Sequence, residues 1–235
     1  FGYDIHYRDK NCDVVYVSPA HMTKWGEIMP VKRRLELLKY ANERHHLVIE
    51  DDFENEFVYF QKPTPSLFGL SGGQGVVYIG SFSRLLLPSI RISFMILPPE
   101  LLNAYKKKAG FYNQTASKAE QIALCQFIRD GHLASQVRKS RKIHLAKAEK
   151  LAESIHKVFG DTVNVKIGEA GFMVQIIFSN GTDVKKVAKA ARKEGLTFRE
   201  AEGHTLLLTC AGVESDKYEE AMQILAKCVI IDNMK

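Results

Sequence analysis

The first strong signal along the chain is a short apolar run, "CDVVYVSP", from Cys12 to Pro19. A run of this length, rich in β-branched residues and closed by proline, predicts a buried strand. Pro30 then stands where a helix can open, at its first position. Val31, Leu35, Leu38 and Ala41 recur at the helical period and predict one apolar face. "LVIEDD" reads as a second strand, and beyond a Pro- and Gly-rich loop, Pro63 to Gly75, "VVYIGS" reads as a third. Strand, helix and strand at this spacing predict a parallel α/β layer. "RISFMILP" follows too soon for a crossover helix, so this strand is expected to run antiparallel to its neighbour.

The second half has a different rhythm. Ser117 and Glu120 form a capping box ahead of "KAEQIALCQFIRDG", which Gly131 closes. A long helix is predicted from about Leu133 to Phe159. The strands "VNVKI" and "GFMVQIIF", the helix "VKKVAKAARKEG", the strand "TLLLTCAG" and a final helix from Ser215 complete the chain. The expected organisation is an α/β segment over 1–132, then the long helix and a small, mostly antiparallel α+β domain over 133–235. No internal repeat or low-complexity run interrupts it.

Composition changes this picture little. The 235 residues are 46% hydrophobic and 26% charged, ordinary for one large or two modest globular domains. No apolar run approaches the ~20 residues of a membrane span, and no secretory signal pattern opens the chain. The start at Phe1 fits a fragment or a processed product. Cys12, Cys125, Cys210 and Cys228 are scattered without metal spacing, which fits buried, reduced thiols and a cytoplasmic location. The net charge is +6, and much of it lies in "RKSRKIHLAKAEK", Arg138 to Lys150. At helical spacing that run reads first as a solvated face and only second as a nucleic-acid contact.

Candidate chemistry collects at the strand ends, because ligands of open α/β sheets bind beyond the carboxyl ends of the strands. The first strand delivers Ser18 to Thr23, including His21. The second delivers Asp51 and Asp52. The third delivers Ser81, Ser83 and Arg84, with Arg91 close behind. A carboxylate can hold a protonated heterocyclic nitrogen, and hydroxyls with a guanidinium fork can hold a phosphate. Each residue has a plainer reading too: Asp51 as a cap on a backbone amide, Arg91 as a structural partner of Asp51 or Asp52, Ser81 and Ser83 as turn residues, and His21 as a hydrogen-bonded structural histidine.

The phrases "VVYVSPAH…GEIMPVKRRLELLKYA", "VIEDDFENEFVY", "VYIGSFSRLLLPSIRISFMILP" and "TASKAEQIALCQFIRDGH" resemble the fold-type-I pyridoxal-phosphate enzymes. Within them the chain is most similar to the aminotransferase-like domain of MocR-type regulators, a branch of the GntR transcription factors. The resemblance runs nearly end to end. It implies the second half of a mainly parallel, three-layer αβα large domain followed by the small C-terminal domain. It also implies a homodimer, and DNA contact only through an upstream winged helix.

By the same resemblance Asp51 matches the aspartate on the pyridinium nitrogen, Ser81 a hydroxyl on the cofactor phosphate, and Arg91 the phosphate arginine. Ser83 and His21 fall within the same cofactor site. Arg84 stands at the lysine that would form the Schiff base, and arginine stays protonated and delocalised. Phe53 stands where a tyrosine would meet the cofactor's phenolic oxygen. Met22 and Thr23 replace a glutamine and an aromatic, or the asparagine of true aminotransferases. Leu207 falls about where an arginine would hold a substrate carboxylate, with Arg199 or His204 as substitutes.

The resemblance therefore implies an effector-sensing, aminotransferase-like domain of a cytosolic regulator, catalytically inactive and binding pyridoxal phosphate non-covalently if at all. The alternatives are an active aminotransferase with an altered lysine position and a dimerisation module with an empty pocket. No metal and no membrane enters any of these readings.

Overall fold

The computed structural model describes residues 13–23, 25–52, 55–58, 64–113, 115–169, 172–179 and 181–233. Cys12 and Phe53 lie outside the described residues. The chain divides at Lys139/Ser140 into two compact units.

The first unit carries β1 (Val14–Val17), α1 (Val31–Glu43), β2 (Leu47–Asp51), a 3-10 turn at Asn55–Phe57, α2 (Leu67–Leu70), β3 (Val76–Ser81), β4 (Ser93–Ile96), α3 (Pro99–Ala109) and α4 (Lys118–Arg129). Its sheet has the order β1-β2-β3-β4. The first three strands are parallel, and β4 returns antiparallel, as the short connection requires. Side chains alternate across a strand, so each strand divides between two faces. Val15, Val17, Val48 and Val76 are buried together with Met29, Leu37, Ala41 and Leu67. On the opposite face Val14, Tyr16 and Met95 remain 44%, 56% and 47% exposed.

Helix α1 corrects the face expected from periodicity. Ala41 is buried and Leu38 packs against the core as expected, but Val31 and Leu35 are exposed, and Arg34 and Leu37 are buried in their place. A guanidinium takes a core position because it finds a carbonyl for each of its nitrogens: Nε donates to Met29 O at 3.0 Å, and the two terminal nitrogens donate to Pro65 O at 3.0 Å and Pro19 O at 3.2 Å. Pro30 is the N-cap rather than the first helical residue. The loop expected over Pro63 to Gly75 contains α2, capped by the Ser66 hydroxyl accepting from Gly69 N. Helix α3, opened by Pro98 and Pro99, was not expected, and none of its residues is buried.

Helix α5 (His132–Phe159) runs across the division. The second unit continues with β5 (Val163–Ile167), β6 (Met173–Phe178), α6 (Val184–Lys193), β7 (Glu200–Glu202), β8 (Thr205–Thr209) and α7 (Tyr218–Asn233). Its sheet, β5-β6-β8-β7, is antiparallel throughout. Asp183 starts α6 by accepting from Lys185 N and Lys186 N at 3.1 and 3.2 Å, and Gly195, at φ 84°, allows the chain to turn away after it. One core joins Ala148, Leu151 and Ile155 of α5 to Val174 and Ile176, to Val187 and Ala191, and to Tyr218 and Leu225. The last helix begins at Tyr218 rather than Ser215. Cys210 and Cys228 are buried as expected, but Cys125 is exposed on α4. No helix among the described residues is long and apolar enough to cross a membrane.

Candidate functional site

Strand β2 ends in two adjacent carboxylates, and alternation sends them to opposite faces. Asp52 shares its face with Glu50 and accepts hydrogen bonds from the Tyr78 hydroxyl and from Asn55 Nδ2. Burial raises the Asp52 carboxyl above its usual range, against the lowering effect of those bonds. The Tyr78 hydroxyl is pushed far up by burial and by the same contact. Asp52 is thus enclosed by the fold.

Asp51 lies on the open face. Tyr16 pairs with Ile49 in the register, Asp51 pairs with Ile79, and Ser81 pairs with Ser93. Two-residue steps along each strand keep Tyr16, Asp51 and Ser81 on one face at the carboxyl edge of the sheet. Asp51 Oδ2 accepts a hydrogen bond from the Tyr16 hydroxyl. That bond, more than burial, raises the Tyr16 phenol above its ordinary range, while Ser18 acts in the opposite direction.

The segment after β3 is a compact turn. Phe82 N donates to Ile92 O at 3.0 Å and Leu86 N to Phe82 O at 3.1 Å. The Ser83 hydroxyl donates to Ile90 O at 2.6 Å, so its proton closes the turn. Ser81 Oγ accepts from Ser83 N at 3.3 Å, which leaves the Ser81 proton for another partner. Arg84 is exposed within the turn, beside the buried Leu85. Arg91 is exposed two residues ahead of Ser93, the partner of Ser81. Among the described residues no ion pair joins Arg91 to Asp51 or Asp52. His21 is half-buried in the loop after β1, where its backbone N–H donates to Ser18 O. Gly80, one residue before Ser81, lies opposite Phe94, whose ring would come within 2.5 Å of an added Cβ. In the second unit Leu207 is buried within β8, and Arg199 N donates to its carbonyl.

Beneath this edge lies a pair that the sequence reading passed over. Glu50 is fully buried and accepts from Leu67 N and Phe68 N at 2.8 and 2.9 Å, with Arg34 at 3.9 Å. Together Arg34 and Glu50 fasten the loop after β1, which carries His21, and the start of α2 to the strand that ends in Asp51. Tyr16 was also missed. Its signal was present in the alternation, which sets it on one face with Val14, away from the buried Val15 and Val17. Among the described residues no group of three or more His, Cys, Asp or Glu side chains is placed to hold a metal ion.

No protein-family model matches the chain. It superimposes on LysN, the α-aminoadipate aminotransferase of Thermus thermophilus solved with N-(5'-phosphopyridoxyl)-L-leucine. The TM-score is 0.75 at 24% identity, over 93% of this chain and 59% of that one. The fold is therefore aminotransferase-like, of the class found in pyridoxal-phosphate-dependent aminotransferases. In sequence the chain is 35% identical over 189 residues to an uncharacterized HTH-type transcriptional regulator of Bacillus subtilis, YdeL, covering 80% of this chain and 41% of that protein. It is 26% identical over 185 residues to the probable rhizopine catabolism regulatory protein MocR of Rhizobium meliloti, covering 79% and 38%. Its homologues are MocR/GntR-type regulators, and the chain is consistent with the C-terminal domain of such a regulator. It spans about two fifths of the length of these relatives.

The donor set on the open face fits a phosphorylated pyridine held without a covalent bond. Asp51 keeps Oδ1 without a partner among the described residues, Ser81 keeps its proton, and Arg91 is exposed. A guanidinium at position 84 does not fit covalent anchoring there.

Proposed function

We propose that this chain is the effector-binding part of a transcription regulator, and that its open strand edge holds a phosphorylated heterocycle of the pyridoxal phosphate class non-covalently. The reading is supported by Asp51 and Ser81, which the register sets on one face at the carboxyl edge of the sheet, and by the exposed Arg91 two residues before Ser93, the partner of Ser81. Asp51 would hold the ring nitrogen, and Ser81 and Arg91 the phosphate. Pyridoxal phosphate, when bound, supplies an electron-withdrawing ring and an aldehyde.

Arg84 cannot act as the amine nucleophile, so the site retains its ligand by ion pairs and hydrogen bonds and catalyses no transamination. It adds a fixed positive charge suited to a phosphate or carboxylate. His21, on a loop fastened by Arg34, would form one wall of the site, and Phe53 belongs to the same reading by resemblance. Binding would bias the conformation of a homodimer, and a winged-helix segment of the longer protein would read that bias on DNA.

Equilibrium dialysis of pyridoxal phosphate against the 235-residue chain tests the reading. Saturable, reversible binding is expected, weakened about tenfold or more by Asp51→Asn and by Arg91→Ala, since each removes a charged hydrogen-bond partner. No saturable binding, or equal affinity in all three proteins, would overturn it.

A further inference from the structure

We propose that Tyr16 is a positioning residue of this site: its phenol fixes one oxygen of Asp51 and so turns the other toward a ligand N–H on the open face. The inference rests on the reading of Asp51 as a ligand carboxylate. It adds a residue that neither the strand-end pattern nor the resemblance marks.

Tyr16 is 56% exposed, so its ring is not held by core packing. An exposed aromatic in the middle of an edge strand adds little to stability by burial. Its hydroxyl nevertheless donates to Asp51 Oδ2 across the β1-β2 pair. The register accounts for the reach. Tyr16 lies opposite Ile49, Asp51 is the next residue along on the same face, and a diagonal of this kind is within range of a tyrosine. A carboxylate has two oxygens and rotates about a soft torsion. With Oδ2 held by the phenol, that rotation is restricted, and Oδ1 is the oxygen left to a ligand.

The neighbouring acid makes the same bond for a different end. Asp52 is met by Tyr78 from the other flanking strand, but on the covered face, with Asn55 also donating. Tyr78 packs edge-on to Phe68 and beside Phe94. Two tyrosines thus hold two adjacent carboxylates, and only the Tyr16–Asp51 pair faces open space. The ring of Tyr16 also offers an apolar flank beside the carboxylate, which suits a flat aromatic cation.

The test compares pyridoxal phosphate with benzyl phosphate, which keeps the phosphate and lacks the ring nitrogen, on the parent chain, Tyr16→Phe, Asp51→Asn and the double variant. Tyr16→Phe is expected to weaken pyridoxal phosphate by about three- to tenfold, the effect of one hydrogen bond, and to leave benzyl phosphate unchanged. In the double variant the loss should equal that of Asp51→Asn alone, because the phenol acts only through the carboxylate.

Equal loss on both ligands, no loss, or additive losses would overturn the role of Tyr16 while leaving Asp51 in place. A parent chain that binds the two ligands alike, or ignores Asp51→Asn, would overturn the reading of Asp51 and this inference with it. Should Tyr16→Phe fail to fold, NMR of labelled tyrosine decides. The Tyr16 phenolate should appear at lower pH in Asp51→Asn than in the parent, and an unchanged titration would overturn the pairing.

Discussion

At position 34 an arginine only 2% exposed sits inside a small sheet layer, and at position 50 a glutamate is fully buried. Burial lowers the Arg34 guanidinium and raises the Glu50 carboxyl from their ordinary values. Neither charge depends on the other alone, since Arg34 has carbonyl partners and Glu50 has two amides. Removing Arg34 leaves Glu50 its two amides but no buried counter-charge, and leaves the carbonyls of Met29, Pro65 and Pro19 without their donor; breaking a buried pair of this kind costs about 3–5 kcal/mol. Arg34→Ala is therefore expected to lower the urea midpoint sharply. Pairing Arg34→Met with Glu50→Gln should recover part of that loss. A small effect of Arg34→Ala would show that the pair is not the fastening of the β1 loop.

Gly80 makes a second point at this scale. Its missing side chain is space taken by the Phe94 ring. Gly80→Ala should cost about 1–3 kcal/mol, and because Ser81 follows directly, it should also weaken binding of inorganic phosphate. Thermal melts and phosphate titration read the two effects separately.

Among elements, the antiparallel sheet and α7 form the most closed part of the chain, and there pH offers a test. Cys210 is fully buried and its thiol is pushed up to about 11 by burial. Tyr218, whose hydroxyl donates to Cys210 O at 2.6 Å, is pushed up to about 12, mainly by burial. Both groups stay protonated in the folded state at pH values where the unfolded chain has begun to ionise. Their contribution is thus complete below about pH 9 and is lost as pH rises toward 11 and 12. Each pKa unit is worth about 1.4 kcal/mol, so the loss by pH 11 is on the order of 2–4 kcal/mol. Denaturant unfolding followed from pH 7 to 11 should show this decline, and Cys210→Ala should flatten it. A flat profile in the parent would contradict the burial of these groups.

Elements also mark how far sequence reading reached. The strands β1, β2 and β3 and the antiparallel turn into β4 were legible because period and connection length settle them. The face of α1 was legible only at Leu38 and Ala41, because Arg34 satisfies its charge through distant carbonyls that no local pattern reveals. Helix α3 escaped because it buries nothing, and β7 because three residues carry no period. At the site, the strand-end rule pointed to Asp51 and Ser81, which the register sets on one face. The partners Tyr16 and Tyr78 needed the register, which is a property of pairs of strands and not of one.

For the molecule as a whole, the partly exposed face of the first sheet is the feature with consequences, although Val77 on that face is buried. Val14, Tyr16 and Met95 leave apolar area in water on the face that carries Asp51 and Ser81. Burial is worth about 25 cal/mol per Å², so covering a few hundred Å² contributes on the order of 5–10 kcal/mol. The isolated 235-residue chain is therefore expected to associate, and sedimentation velocity at micromolar concentration should find a species heavier than 26.6 kDa. A well-folded monomer would show that this face tolerates water.

Under the proposed reading, Arg84 keeps this edge from forming a covalent bond while the edge still binds a phosphorylated heterocycle. Reduction with borohydride in the presence of pyridoxal phosphate, followed by peptide mass mapping, tests it in the parent chain and in Arg84→Lys. The parent should release the ligand on dialysis and carry no adduct at position 84, whereas the variant should gain a reduced adduct there. A variant that binds pyridoxal phosphate no better than denatured chain and gains no adduct at position 84 would contradict the account.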